Sequence, residues 1–89
     1  MAGRHARPGL GLRVTNADGG HGVYVGGVRE GTPGARAGLQ EGDIVQELSG
    51  VPINSVDDLE RVAAAWSHER PTSLAYRRGE ERKSAILYP

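Results

Sequence analysis

Residues 31–45, GTPGARAGLQEGDIV, constrain the backbone more tightly than any other stretch of this sequence. Thr32 can cap a helix that Pro33 opens, because the missing amide hydrogen of proline is harmless at a first helical position. Gly38 can adopt the left-handed conformation that ends a helix. A Gly-Asp turn signal follows, and Ile44 then begins an apolar, β-branched segment. The run therefore predicts a short helix, a stop, a turn and a strand.

The order of residues in this run, G-x-P-x-A-x-A-G-L-x-x-G-D-x-[IV], is followed by LSGVPI at 48–53 and SVDDL at 55–59. Together these segments closely resemble a PDZ domain, and the bacterial, protease-associated branch is the better match. The resemblance extends from about Gly9 to Tyr88. It implies an α+β, mainly β fold, a small and partly open antiparallel β-barrel or sandwich of five to six strands capped by two helices. Because few residues precede Gly9, the last strand is expected to fill the place of the first strand of animal PDZ domains, as in circularly permuted bacterial members.

Alternating or apolar segments between turn residues predict the strands, which we place at 12–15, 23–28, 44–48, 51–53, 73–78 and 82–88. A second, longer helix is expected after Ser55, a good N-cap, and it runs to about Trp66. Residues 1–8 are small, basic and without a pattern, so we expect a flexible tail before a single domain at 9–89.

Composition limits the classes of partner. Lysine plus arginine and aspartate plus glutamate number 11 each, so the zero net charge argues against nucleic acid and against an anionic membrane. One local basic cluster is interrupted by glutamates and predicts a solvated hairpin; it consists of Arg77, Arg78, Arg82 and Lys83. Without cysteine there is no disulfide and no thiol nucleophile, and the redox compartment stays open.

Two origins of the chain fit its lack of an apolar targeting segment. No apolar run approaches the roughly 18 residues of a membrane-spanning helix, and residues 1–9 have no signal-peptide core, so direct membrane insertion is not expected. The chain is either an independent cytoplasmic protein or a domain cut from a larger exported or membrane-anchored protein, in the periplasm or cell envelope. We prefer the second, since the modules that it resembles rarely occur alone.

Residues 9–12, GLGL, occupy the place of the PDZ carboxylate-binding loop. Glycines let the backbone turn so that successive amide N–H groups point into one concavity, which suits an anion such as the terminal carboxylate of a peptide. Gly9, Leu10, Gly11 and Leu12 are therefore candidate peptide-binding residues, and the last three supply the donors. A plain turn before a strand is the alternative.

In PDZ domains the strand after this loop is an exposed edge, on which a ligand peptide adds as an antiparallel strand. The resemblance therefore adds Arg13 and Val14 to the candidate site. The ligand is expected to be a peptide or protein C-terminus, or an internal extended segment. A protease domain of the same parent chain is a further candidate partner.

The second helix has two neighbouring stripes of residues. In PDZ domains the second stripe, here Val56, Glu60 and Ala63, walls the peptide groove. Val56 stands where histidine is common in domains that select serine or threonine, so an apolar ligand residue is expected there. Small Ala63, with Leu10 and Leu12, leaves room for an aliphatic or aromatic terminal side chain. Ordinary packing is the alternative for Val56 and Ala63. The core-facing stripe consists of Leu59, Val62 and Trp66.

No catalytic or metal-binding constellation is recognisable. His5, His21 and His68 fall in an expected tail, loop and helix end, and the sequence has no HExxH, GxSxG or phosphate-loop motif. A loop histidine exposed to solvent is a simpler interpretation of His21 than a metal ligand. We therefore expect no cofactor, no metal and no activity of its own.

Three hypotheses follow. The chain is a peptide-binding module that tethers substrates or regulates a larger bacterial peptidase; or it is an intramolecular or scaffold domain whose groove is filled by the parent protein or a partner; or it is an enzyme with an unrecognised site, the least favoured of the three.

Overall fold

The structure, a computed structural model, describes residues 10–66 and 70–88. The predicted tail at 1–8, and with it His5, as well as Gly9 and His68, lie outside these ranges. The elements are, in chain order, β1 (Leu12–Asn16), a 3₁₀ turn (Asp18–Gly20), β2 (Val23–Val28), α1 (Pro33–Arg36), β3 (Ile44–Leu48), β4 (Val51–Pro52), α2 (Val56–Ala65), β5 (Thr72–Arg78) and β6 (Glu81–Leu87).

All six strands belong to one antiparallel sheet with the order β1-β2-β3-β5-β6, and β4 pairs with β3 beside this path. Within the described part of the chain, β1 and β6 each have one strand neighbour, so the sheet stays open. The predicted mainly β fold with two helices is confirmed, in its open form. β1 is thereby left as an edge strand.

Local backbone chemistry explains where the helices begin. The Thr32 hydroxyl accepts a hydrogen bond from the amide of Ala35 at 3.3 Å, as expected for an N-cap. The Ser55 hydroxyl does the same for the amide of Asp58 at 3.3 Å, at the start of α2. After α1 the chain turns at Gly38, whose φ of +92° is the left-handed conformation that the sequence predicts.

The core lies between the sheet and the helices. α2 contacts β1 and β3, and α1 contacts β6. On β2 the alternation is clear, since Val23 and Val25 are fully buried and Tyr24 between them is exposed. The other fully buried apolar side chains are Val45, Leu48, Ile53, Leu74 and Leu87.

Several element ends differ from the prediction by one residue, and two of these differences concern buried side chains. β4 stops before Ile53, whose buried side chain enters the core and whose amide donates to the carbonyl of Gln46 at 2.9 Å. α2 ends one residue early, because Trp66 already has an extended backbone (φ −71°, ψ 127°). Trp66 is buried in the core cluster, and its indole Nε1 donates to the carbonyl of Arg70 at 2.8 Å.

The prediction of a solvated basic hairpin holds only in part for Arg78, whose side chain is 34% exposed. Its guanidinium binds the carboxylate of Asp43, which is 1% exposed. Arg78 also lies over the ring of Tyr76, 5.4 Å from the centroid. On the surface of the same hairpin, Arg82 approaches Glu47 at 3.7 Å, a distance typical of a weak exposed ion pair.

Candidate functional site

The loop that precedes β1 is held by its carbonyl groups. The carbonyl of Leu10 accepts a hydrogen bond from the amide of Gly34 at 2.9 Å, and the carbonyl of Gly11 accepts one from the amide of Arg29 at 2.8 Å. In a trans peptide the N–H points opposite to the carbonyl of the same plane. The amides of Gly11 and Leu12 therefore point away from α1 and β2, as donors for an anion must.

Close packing against α1 explains the glycines around this loop. Gly11 has a φ of +80°, and a Cβ there would lie 2.3 Å from the Cβ of Thr32. A Cβ on Gly34 would lie 2.7 Å from the carbonyl oxygen of Leu10 and 2.8 Å from a methyl group of Leu12. Both positions therefore exclude any side chain, and the capped start of α1 fixes the conformation of the loop.

The free edge of β1 carries backbone groups that can extend the sheet. The bond from Arg29 to Gly11 makes Leu12 and Val28 a non-hydrogen-bonded pair, so the N–H and C=O of Leu12 point away from β2. An irregularity follows between Arg13 and Val14. The edge at Leu12 is thus open to another strand on the side toward α2.

The side chains of β1 alternate between two faces. Leu12 and Val14 are half-buried and pack against the core, whereas Arg13 is exposed. The guanidinium of Arg13 extends across Gly27 on β2, where a Cβ would meet its Nη2 at 3.3 Å. Of these three candidate site residues, Leu12 and Val14 therefore share the face toward α2, and the Arg13 side chain does not.

The proposed helix wall, Val56, Glu60 and Ala63, lies on α2. Val56 and Ala63 on α2 are half-buried and pack on the core cluster, while Glu60 between them is exposed. Leu59 is 5% exposed, as expected of the core-facing stripe. Partly buried apolar side chains of β1 and α2 therefore pack on the same core cluster, and the Glu60 carboxylate is exposed beside them.

Sequence reasoning missed a contact that joins the end of β1 to the start of α2. The side-chain Oδ1 of Asn16 accepts a hydrogen bond from the backbone amide of Val56 at 2.7 Å. The only local signal is alternation, which places Asn16 on the same face of β1 as Leu12 and Val14. The partner lies 40 positions away, so no local pattern reveals it.

A second missed contact is the ion pair between Asp43 and Arg78, which lies apart from the groove. Burial of Asp43 raises the pKa of its carboxyl, but the hydrogen bonds from Arg78 and from the amide of Gln40 outweigh this and hold the pKa below its ordinary value. The pair joins the turn before β3 to the end of β5. Its role is structural.

His21 lies in the loop between β1 and β2. With Asp18, Tyr24 and Arg77 it lines an open depression of about 590 Å³ on the outward side of the sheet. Across residues 10–66 and 70–88, no group of three or more histidine, cysteine or carboxylate side chains converges as a metal site would require. In the same part of the chain, no helix is long and apolar enough to cross a membrane.

Comparison with protein families decides the identity. The sequence model of the family described as the PDZ domain matches residues 8–87. The chain belongs to the PDZ family. As a PDZ domain it is a binding module for peptides, and its resemblance to that family is confirmed over nearly its whole length.

Curated relatives of this PDZ domain are bacterial proteases. The magnetosome formation protease MamE of Magnetospirillum gryphiswaldense is 34% identical over 65 residues, which cover 73% of this chain and 8% of that protein. A serine protease described as HtrA-like, from Staphylococcus epidermidis, is 37% identical over 70 residues, covering 74% of this chain and 12% of that protein. The PDZ domain therefore spans a small part of the length of these relatives.

Solved structures agree with this assignment. The HtrA3 PDZ domain bound to a phage-derived ligand, FGRWV, superposes with a TM-score of 0.78 at 26% identity, covering 90% of this chain and 82% of that chain. The HtrA-type protease AlgW with a decapeptide has a TM-score of 0.77 at 20% identity, covering 89% of this chain and 27% of that chain, which supports the fold alone. The prediction of a protease-associated PDZ domain is confirmed.

Proposed function

We propose that this PDZ domain captures peptide C-termini, or internal extended segments, by strand addition between β1 and α2, and that it tethers substrates to a larger bacterial peptidase or regulates it. The observation that carries the proposal is the free edge of β1, which faces the apolar wall of α2 and begins at a loop with outward amides. An added strand satisfies edge groups that a protein otherwise has to protect.

The loop is assigned to the terminal carboxylate. The amides of Gly11 and Leu12 lie opposite carbonyls that are already hydrogen-bonded to α1 and to the end of β2. Two or more oriented N–H groups stabilise an anion without any cationic side chain. Leu10 and Gly9 complete the proposed loop, and Gly9 lies outside the described residues.

The apolar groove is assigned to the ligand side chains. Leu12 and Ala63, with Leu10 beneath them, form the proposed pocket for the terminal residue, and Val56 meets an apolar residue further along. Leu10 is 5% exposed, so it supplies the floor of the pocket and not its rim. Burial of one aliphatic or aromatic side chain stabilises the complex by about 1.5–3 kcal/mol.

Backbone pairing supplies the rest of the binding free energy. The backbone N–H and C=O groups of Leu12 and Val14 would form ladder hydrogen bonds with the peptide, and each bond contributes a net free energy of roughly 0.5–1.5 kcal/mol. The backbone of Arg13 pairs with β2 instead. The ordering of a short peptide opposes these gains, so micromolar dissociation constants are expected. Glu60 at the rim favours a ligand without acidic residues opposite it.

The kind of parent protein is inferred from the relatives of this domain. Their names describe proteases, and the PDZ domain spans only part of their length. We therefore propose that it belongs to a bacterial peptidase, with that protease domain as an intramolecular partner, and that it works in the periplasm or cell envelope if the parent is exported.

An NMR titration with the pentapeptide Phe-Gly-Arg-Trp-Val, the ligand of the HtrA3 PDZ domain, tests this proposal. We expect saturable shifts in the amides of 11–14 and 56–63, at micromolar to submillimolar peptide. The same peptide with an amidated C-terminus is the matched control and should bind at least tenfold more weakly. Equal binding of both forms would point to internal segments, and no shifts with a millimolar library of C-terminal peptides would point to an intramolecular or scaffold role.

A further inference from the structure

One side chain crosses the groove at the end of β1. Asn16, the last residue of β1, accepts a hydrogen bond of 2.7 Å from the amide of Val56, the first residue of α2. Leu12, Val14 and Asn16 alternate onto one face of the strand. The contact therefore lies on the face of the sheet to which alternate side chains of an added peptide would point.

The contact leaves no room for a further strand at this level. Three side-chain bonds of roughly 1.5 Å or less carry the Asn16 oxygen no more than about 4 Å from its Cα. With the hydrogen bond of 2.7 Å, the Val56 nitrogen lies within roughly 7 Å of that Cα. A peptide strand between β1 and α2 would lie about 4.8 Å from β1, and it would need further space for side chains on its α2 side.

The loop behind Asn16 supports the closed geometry. The amide of Gly22 donates to the carbonyl of Asn54 at 3.3 Å, and the amide of Ala17 donates to the carbonyl of Gly22 at 3.1 Å. The loop after β1 is thus closed on itself and joined to the turn before α2. Asn16 and Gly22 connect the same two segments of the chain at neighbouring points.

We infer that Asn16 is a clasp that closes the upstream end of the peptide groove and limits ladder pairing with β1 to the last three residues of a ligand. The inference rests on the proposed function, since it takes strand addition along β1 as given. In that register the terminal residue lies beside Leu12 and the third residue from the end lies beside Val14. The fifth residue from the end would lie beside Asn16, where the groove is closed, so the upstream chain leaves the sheet edge.

Closure of the groove by Asn16 is tested by varying the length of the peptide. The probes are N-acetylated peptides with one common end: Arg-Trp-Val, Phe-Gly-Arg-Trp-Val and Ala-Ala-Ala-Phe-Gly-Arg-Trp-Val. Dissociation constants are measured for the wild type, for Asn16→Ala, which removes the acceptor, and for Asn16→Asp, which keeps an acceptor of the same shape. Thr15→Ala is the matched control, because Thr15 is exposed and belongs to the other face of β1.

For the wild type, Asn16→Asp and Thr15→Ala, we expect the longest peptide to bind within about threefold of the shortest. For Asn16→Ala, we expect it to bind at least tenfold more tightly than the shortest, because the open groove admits more paired residues. An equal gain with length in the wild type and in Asn16→Ala overturns the clasp and leaves the proposed function intact. Failure of all three peptides and of the library of C-terminal peptides to bind the wild type overturns both.

Hydrogen exchange on the wild type supplies a readout that needs no variant. The Val56 amide should exchange as slowly with the longest peptide bound as in the free protein, since the clasp stays closed. Faster exchange at saturation would show that the peptide displaces Asn16, and this also overturns the inference.

Discussion

The guanidinium of Arg78 meets the carboxylate of Asp43 through two parallel hydrogen bonds, Nε to Oδ1 and Nη2 to Oδ2, each 2.8 Å long. The same Nη2 also donates to the carbonyl of Gly38 at 3.0 Å. Asp43 accepts in addition from the amide of Gln40 at 2.8 Å. The buried carboxylate is therefore fully paired, and it fastens the turn after α1 to the end of β5.

Asp43→Asn should destabilise the domain by roughly 2–3 kcal/mol, because it removes a charge-assisted pair from a buried position. Arg78 is about a third exposed, so water can solvate the freed guanidinium and limits the loss. Chemical denaturation measures the difference. Glu41→Gln, an exposed change in the same turn, should stay close to the wild type, and an equal loss in both variants would contradict the assignment.

The Asp43 carboxylate makes the stability of the domain depend on pH. The pKa of Asp43 lies below its ordinary value of 3.8, so between these two values the unfolded chain binds more protons than the folded one. The stabilisation is complete above pH 3.8 and is lost as pH falls through the folded pKa. The free energy of unfolding, measured from pH 7 down to pH 2, should therefore fall less for Asp43→Asn than for the wild type. Identical slopes would show that Asp43 is not the group responsible.

Gly11→Ala should destabilise the domain and weaken peptide binding. Its left-handed φ costs about 1–3 kcal/mol for any other residue, and the new methyl group also collides with Thr32. Gly19→Ala is the matched control, because its φ is +87° and nothing lies within 4 Å of the added Cβ. Thermal unfolding and titration with Phe-Gly-Arg-Trp-Val measure both effects. Equal losses for the two variants would mean that the contact with α1 is unimportant.

Ala63→Leu tests the proposed pocket. A larger side chain should fill the space for the terminal residue and weaken the binding of Phe-Gly-Arg-Trp-Val at least tenfold, with the amide spectrum otherwise unchanged. Ala64→Leu changes the next, exposed residue of α2 and should bind normally. Unaltered affinity in Ala63→Leu would remove Ala63 from the pocket.

The parts of the proposed groove could be predicted from the sequence, but the contact at its upstream end could not. The loop glycines, the apolar face of β1 and the stripe of α2 follow from turn chemistry and from periodicity, which act over a few residues. The clasp between Asn16 and Val56 joins positions that are 40 residues apart, and a lone asparagine at a strand end predicts only a turn. The proposed limit on groove length therefore depends on a contact that only the fold reveals.

By itself, the sequence determined the order of strands and helices, because N-caps, left-handed glycines and alternation are local backbone chemistry. Ser55 and Gly38 are examples that the structure confirms. Only the tertiary structure decided which polar side chains meet. Arg78 looked like one of several solvated cations, and its partner is 35 residues away. Pairing at that distance depends on sheet register and burial, which no local pattern encodes.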